Sequence, residues 1–476
     1  GVNESSATRP IHVLDGEAMT GAGVQSLGEH VDALLGVSSA DFGAAVGQPI
    51  IRGMSGNRVK VLNNGTVIRD VSALGPDHAV DVSLNDVKQI EIVRGPSALM
   101  YSNGSIGGIV NVVDNSIPTT DLEGFSGTVG AEAQSVNDGE AVDLTLRGNV
   151  GGLNLTYSYQ DVEMEDYEIP KGAVLDMHEG HHDEDHEDEH EDHEEGHEED
   201  HGDMDKLANS DVSTTSHRLG LSTTGDWGYV GLSYSDLSST YGIPFHSEAA
   251  HEEHGDEHEG EHEEGHEEGE EHHDEHEGDD HAGHDEHGEE RIFSKTESEI
   301  IALSGSFKTS IPFLNAIDFA VKNTDYELME QHAEGEEEEE EGHEGHDHAE
   351  GPTVFSNEAT EISIAFDLSA GERIRRVVLN YAEEEISIIG EEAFMAPVDS
   401  TETTLGFFSS DDLGFATLDV GFRFDQVDRD GFVAEMHHDD DHGEEHEGDH
   451  DEDHEGDHDE DHEGEHEEHH EDEMVY

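Results

Sequence analysis

The sequence predicts a chain of two parts: a small α/β unit over residues 1–118 and, over residues 119–476, an antiparallel transmembrane β-barrel interrupted by long acidic loops. Three observations predict it. Short β-branched runs set off by glycine punctuate the first part. Period-two alternation of apolar and polar residues runs through the second. The acidic charge, which brings the formal net charge to -101, is gathered into blocks instead of being spread along the chain.

The first part is organised around Asp86 to Pro118. Two β-type runs, Ile90 to Val93 and Ile109 to Val113, flank a connection in which Gly95-Pro96 breaks the first strand and Gly104, Gly107 and Gly108 permit close backbone approach. Upstream, Ile11 to Leu14 and Val59 to Leu62 read as further strands, Leu27 to Leu35 as a helix and Asn64-Gly65 as a turn. The chain opens on Gly1 with neither an initiator Met nor a signal peptide, which is the expectation for a mature or truncated form.

From Ser126 onward the alternation sets in. Leu153, Leu155, Tyr157 and Tyr159 alternate with Asn154, Thr156, Ser158 and Gln160, placing one face in lipid and the other toward a wet lumen. Ile362, Ile364, Phe366 and Leu368 repeat the pattern, as do Leu418, Val420, Phe422 and Phe424. Trp227 and Tyr229 suit an aromatic girdle. About eleven strands follow, near 126–136, 140–150, 152–163, 215–225, 227–237, 294–308, 315–328, 357–369, 373–384, 402–410 and 413–427. A soluble sandwich would alternate in the same way. The connections separate the two: even-numbered ones are short turns, and the third, fifth, seventh and eleventh are the long blocks, so every block leaves by one rim. The barrel is expected to be incomplete, because an open sheet edge in hydrocarbon leaves backbone groups unpaired.

The blocks at 178–205, 246–290, 330–350 and 437–473 hold 71 of the 121 acidic residues, 35 of the 39 histidines and no Lys or Arg. With so few apolar residues they are expected to be disordered loops. This charge argues against nucleic acid as a partner. The absence of cysteine removes disulfides and thiolate metal sites and suits an envelope protein. No run of 18 apolar residues exists to form a membrane helix.

In the blocks histidine falls among carboxylates, nearly every fourth residue in Gly448 to Glu463. Neutral imidazole with carboxylate is a ligand set for Zn²⁺, and also for Ni²⁺, Cu²⁺ or Co²⁺. The candidate ligands are His181, His182, His186 and His190, then His246, His251 and His254, then His346 and His348, and finally His437, His438, His450 and His454. Purely solvating loops are the alternative, although Lys or Arg would serve as well there. His186 to His190, His193 to His197 and His258 to His262 match the H-E-x-x-H pattern of zinc proteases. That chemistry needs the motif on an amphipathic helix, and these stretches contain glycine or have no apolar face, so an enzyme is not expected. Outside the blocks, Asp77-His78 follows Gly75-Pro76 and reads as either a surface turn or half of a fixed metal site.

Ile51-Arg52-Gly53, Arg58 to Leu62, Ile90 to Pro96, Leu99 to Gly104 and Gly107 to Val112 together resemble the plug domain of TonB-dependent outer-membrane receptors. The resemblance implies a plug over 1–118 inside about half of a 22-stranded barrel over 119–476, in the bacterial outer membrane, with the His-rich loops extracellular. Pro76 to Ala79, and Tyr241-Gly242-Ile243-Pro244 with His246, are similar to the zinc-uptake branch of these receptors. That resemblance implies that Asp77 and His78 supply zinc ligands, with barrel ligands that cannot be matched to positions here. It also implies divalent metal ions, outer-membrane lipid and the inner-membrane TonB energy-transducing complex as partners. The rival expectations are a receptor for a metal chelate such as haem or a siderophore, and a surface metal buffer that transports nothing.

Overall fold

The computed structural model describes residues 12–101, 104–170, 173, 206–244, 291–333, 351–371, 373–390 and 393–431. The first part builds β1 (His12–Asp15), α1 (Gly16–Ala22), α2 (Leu27–Asp32), β2 (Val37–Phe42), β3 (Val46–Ile51), β4 (Val59–Asn63), β5 (Thr66–Val67), β6 (Val87–Val93) and β7 (Gly108–Asp114). A five-stranded sheet forms in the order β1-β6-β7-β4-β5, with β4 and β7 parallel, and β2 and β3 pair separately. The helix expected from Leu27 is fixed at its start by a capping box, in which Ser26 and Glu29 satisfy each other's backbone donors. It is shorter than expected, and α1 was not foreseen.

β7 is buried along its whole length. Ile90, Ile92, Val110 and Val112 close the core against Val31 and Ile51. Each such side chain contributes about 1.5–3 kcal/mol of burial.

The second part is one antiparallel sheet of eleven consecutive strands, β8 (Phe125–Gln134), β9 (Gly139–Val150), β10 (Leu153–Met164), β11 (Val212–Gly225), β12 (Gly228–Gly242), β13 (Arg291–Lys308), β14 (Ala316–Ala333), β15 (Thr353–Asp367), β16 (Ile374–Ile389), β17 (Val398–Asp412) and β18 (Thr417–Asp430). All eleven expected strands are present, and several run further toward the rim of the long blocks. β14 is the instructive case. The block placed at 330–350 begins in fact inside this strand, because its pairing with β13 and β15 continues past Leu328 and Glu330 reaches inward to His78. Among the described residues no helix is long and apolar enough to cross a membrane, which says nothing of strands.

The outward face carries exposed apolar side chains such as Leu153, Leu303, Leu418, Val420, Phe422 and Phe424. Trp227 stacks on Phe307, and Phe307 on Phe319, forming an aromatic strip by the short turns. Tyr229 is a correction. It shares the inward parity of Gly231 and Ser233 and lines a cavity against the plug, so it takes no part in the strip.

The wet lumen also needs correcting. Asn154, Thr156 and Ser158 do face inward, but they are buried against the plug. Thr156 Oγ1 donates to the Ser116 carbonyl at 2.6 Å, and Ser222 Oγ to that of Pro118 at 2.7 Å. The approach is so close that a Cβ on Gly220 would sit 1.7 Å from the Ser116 oxygen.

Beyond the apolar band the outward face turns acidic. Asp236, Glu299, Asp325, Glu358, Glu385, Asp399 and Asp430 are successive cross-strand partners, one from each of β12 to β18. They form a single rung of like charges.

Candidate metal centre

Between β5 and β6 the plug sends a long loop, residues 68–86, against the wall. It is tied down at both ends. At its start, Arg69 pairs with Glu361 at 3.4 Å and Glu384 at 3.1 Å. At its end, Arg218 donates to the carbonyls of Ser83 and Asn85, both at 3.1 Å. Asp77 and His78 sit near the middle.

His78 is buried, and both ring nitrogens are engaged. Nδ1 lies 2.9 Å from the Val71 carbonyl, which only accepts, so Nδ1 carries a proton. Nε2 therefore points its lone pair, or a second proton, at Glu330 Oε1, 3.1 Å away. The edge of Phe355 packs on the ring with centroids 4.9 Å apart. A nitrogen fixed by a backbone acceptor, with the other facing a carboxylate, is the arrangement that orients metal-ligating histidines.

The loop backbone is held by two side chains from outside it. Gln48 on β3 donates to the carbonyls of Ser72 at 2.7 Å, Gly75 at 2.9 Å and His78 at 3.0 Å. Tyr241 on β12 accepts from the Ala79 N–H at 3.1 Å and donates to the Asp77 carbonyl at 3.4 Å. Gly75 leaves the space the ligands need, since a Cβ there would stand 2.5 Å from Asp77 Oδ1 and 3.2 Å from His78 Nε2.

Asp77, His78 and Glu330 each offer one ligand atom, and the three atoms lie within 4.8 Å of one another. Zinc bonds of about 2.0–2.1 Å place tetrahedral ligand atoms about 3.3 Å apart, which the His78–Glu330 pair already meets. Burial disfavours a charged His78, yet the Glu330 hydrogen bond, the Val71 carbonyl and the charges of Glu330 and Asp77 outweigh it and lift its pKa above the ordinary value. When His78 is protonated, its Nε2 proton lies between the ring and Glu330. A divalent cation would take that proton's place.

Of the candidates read from the sequence, Asp77 and His78 are thus brought together with a wall carboxylate. The candidate histidines named in the four blocks, from His181 to His454, lie outside the described residues. Glu330 was missed because it was assigned to a loop; extending the alternation of Tyr326 and Leu328 by two residues would have found it. Tyr241, singled out as part of a motif, supports the loop and holds no ligand position. Gln48 left no signal in the sequence.

The fold is a small α/β unit seated against the inner face of an eleven-stranded antiparallel sheet. Residues 3–109 match the family described as TonB-dependent Receptor Plug Domain. The chain is 28% identical over 123 residues to the vitamin B12 transporter BtuB of Vibrio vulnificus, covering 25% of this chain and 19% of that protein. It is 29% identical over 106 residues to the corresponding transporter of Photobacterium profundum, covering 22% and 17%. Among solved structures it is similar to the FrpB iron transporter from Neisseria meningitidis, with a TM-score of 0.58 and 12% identity over 89% of this chain and 60% of that one. It is likewise similar to the copper transporter OprC, with a TM-score of 0.57 and 11% identity over 88% and 55%. The N-terminal part is therefore a TonB-dependent receptor plug, and the eleven-stranded sheet has the fold of a partial receptor barrel.

Proposed function

We propose that the protein is a TonB-dependent outer-membrane receptor that imports a divalent metal ion, zinc in the first place. The observation that carries this reading is the convergence of Asp77 and His78 of the plug with Glu330 of the wall. One nitrogen and two oxygen ligands suit Zn²⁺ and leave a coordination position open, as an ion that must be passed on requires. The site bridges two parts of the molecule, so movement of the plug would pull His78 and Asp77 away from Glu330 and dismantle it. The energy for that movement would come from the inner-membrane TonB complex. The His-rich blocks would lie outside the cell, where their negative field raises the local cation concentration.

Calorimetric titration of the receptor with Zn²⁺, before and after Asp77→Ala with His78→Ala, tests the centre. Unchanged affinity would remove it. Uptake of radioactive zinc that stops when the proton gradient is collapsed separates a transporter from a surface buffer.

A second reading, a receptor for a metal chelate, draws on a cavity of about 530 Å³ beside the loop, lined in part by Lys60, Arg69, Asp70, Glu384, Glu402 and Arg429. Its mixed charges would suit an anionic chelator. Uptake of zinc supplied free and as a preformed chelate distinguishes the two.

A further inference from the structure

A carbonyl that fixes a ligand is only as well aimed as the peptide it belongs to. The Val71 carbonyl, 2.9 Å from His78 Nδ1, shares its planar peptide with the Ser72 N–H, and in a trans peptide the two point to opposite sides. On the far side, that N–H donates to Asp70 Oδ1 at 3.2 Å, and the Ser72 hydroxyl joins it at 2.8 Å. The result is a turn closed by the aspartate side chain on its own backbone two residues on. From the outside in, the order of contacts is carboxylate, peptide, imidazole, ligand nitrogen. In many metal sites a carboxylate bonds the imidazole directly. Here one peptide unit stands between them, and hydrogen bonds in series polarise one another.

The second oxygen of Asp70 has a different task. Oδ2 accepts the Asp81 backbone N–H at 2.9 Å, joining the two ends of the segment that carries Asp77 and His78. Closing that neck would need one oxygen only. The other is spent on the peptide whose carbonyl holds His78. Both oxygens accept, as an ionised carboxylate does. Burial pushes the Asp70 pKa above its ordinary value, while the Asp81 and Ser72 hydrogen bonds and the charge of His78 act to keep the charged form.

Asp70 is in turn fixed to the wall. Its carbonyl accepts from the side-chain amide of Asn357 on β15 at 3.2 Å, and the same amide donates to Glu384 at 2.9 Å. Glu384 is the carboxylate that pairs with the neighbouring Arg69 at 3.1 Å. The frame that aims His78 is thereby referred to the same wall that supplies Glu330.

We propose that Asp70 is the positioning carboxylate of the metal centre: acting through the Val71–Ser72 peptide, it aims the His78 ring and strengthens Nε2 as a ligand. This rests on reading Asp77, His78 and Glu330 as a metal site. Asp70 itself touches no ion. It sets how well the imidazole meets one.

The test is titration of the intact receptor in outer-membrane vesicles with Zn²⁺, for affinity, and with Co²⁺, whose visible absorption reports ligand geometry. Asp70→Ala removes the turn and the neck together, so it weakens Zn²⁺ binding by about 100-fold and shifts the Co²⁺ absorption. Asp70→Asn still accepts from the Ser72 N–H but turns an amide N–H toward that of Asp81, so it weakens binding by about tenfold and shifts the absorption less. Ser72→Ala removes the hydroxyl and leaves the peptide N–H in place, so its affinity stays within about threefold of wild type. Either an affinity within about threefold of wild type or an unchanged Co²⁺ absorption in Asp70→Ala overturns the proposal, since Asp70 would then serve the loop and not the ligand. Should Asp70→Ala fail to fold, Asp70→Asn decides on the same two readouts. A loss in Ser72→Ala as large as that in Asp70→Asn also overturns it, because the hydroxyl and not the peptide would then carry the effect. If Glu330→Gln binds zinc normally, the reading of the centre itself fails instead.

Discussion

The two faces of β14 carry the same residue types to opposite ends. On the inner face Glu330 meets a buried imidazole whose far nitrogen is fixed by a backbone carbonyl, while on the outer face Asp325 and Glu327 stand exposed beside other carboxylates. What separates the proposed metal ligand from a solvated charge is therefore the enforcement around it. The inner carboxylate has Val71, Gln48, Tyr241 and Gly75 arranging its partners. The outer ones have carboxylates as their cross-strand partners, Glu299 opposite Asp325 and Glu297 opposite Glu327.

That contrast can be broken from the inner side first. Glu330→Gln or His78→Ala should weaken zinc binding by about 100-fold or more, about 2.7 kcal/mol, in calorimetric titration, since a ligand is lost and the other is left unpaired in a buried site. Gln48→Leu should cost about tenfold to 100-fold in affinity without touching a ligand, because three carbonyls that position the loop lose their donor. Gly75→Ala should cost about tenfold, with circular dichroism unchanged, as the added methyl displaces the Asp77 carboxylate.

Acidity sharpens the same contrast. Zinc needs His78 Nε2 free of its proton, and the pKa of His78 is raised, so affinity should be full above that raised value and fall up to about tenfold per pH unit below it. The ion-free site behaves oppositely: its stabilisation by protonated His78 is fully present below the unfolded pKa and is lost as pH rises through the folded one. Titrations across pH 5 to 8 should therefore release one proton per zinc bound at the acid end. Asp325→Asn on the outer face is the smallest expected effect, with zinc affinity unchanged within about twofold and a slight gain in stability at low salt.

Much of this was legible in the sequence. The period-two runs marked eleven strands because each has one exposed, largely apolar face and one face turned inward, so composition is forced to alternate. The runs around Ile90 and Val110 stood out because β6 and β7 are buried. Asp77-His78 could be singled out by its turn, but not by its partner. Glu330 opens a stretch dense in glutamate, and composition there looks like solvent long before the strand ends at Ala333. Gln48 and Val71 act through backbone carbonyls brought near by folding, a relation that no spacing along the chain encodes. The inward residues of β10 read as wet because serine, threonine and asparagine are polar, whereas Thr156 donates to the plug carbonyl of Ser116 and Asn154 accepts from the N–H of Leu122 just beyond the plug.

The acidic rung has a consequence for the wall as a whole. Seven carboxylates on strands about 4.8 Å apart make a short polyelectrolyte, with a linear charge density approaching that of a single nucleic-acid strand. Each adjacent pair repels by about 1 kcal/mol even in water-like surroundings. Such a line gathers counter-ions from the bulk, and its self-repulsion acts to fan the strands apart at the end away from the short turns. The upper wall should then loosen when salt is withdrawn and tighten when a divalent cation is restored, with mobile ions serving as its outermost fastening.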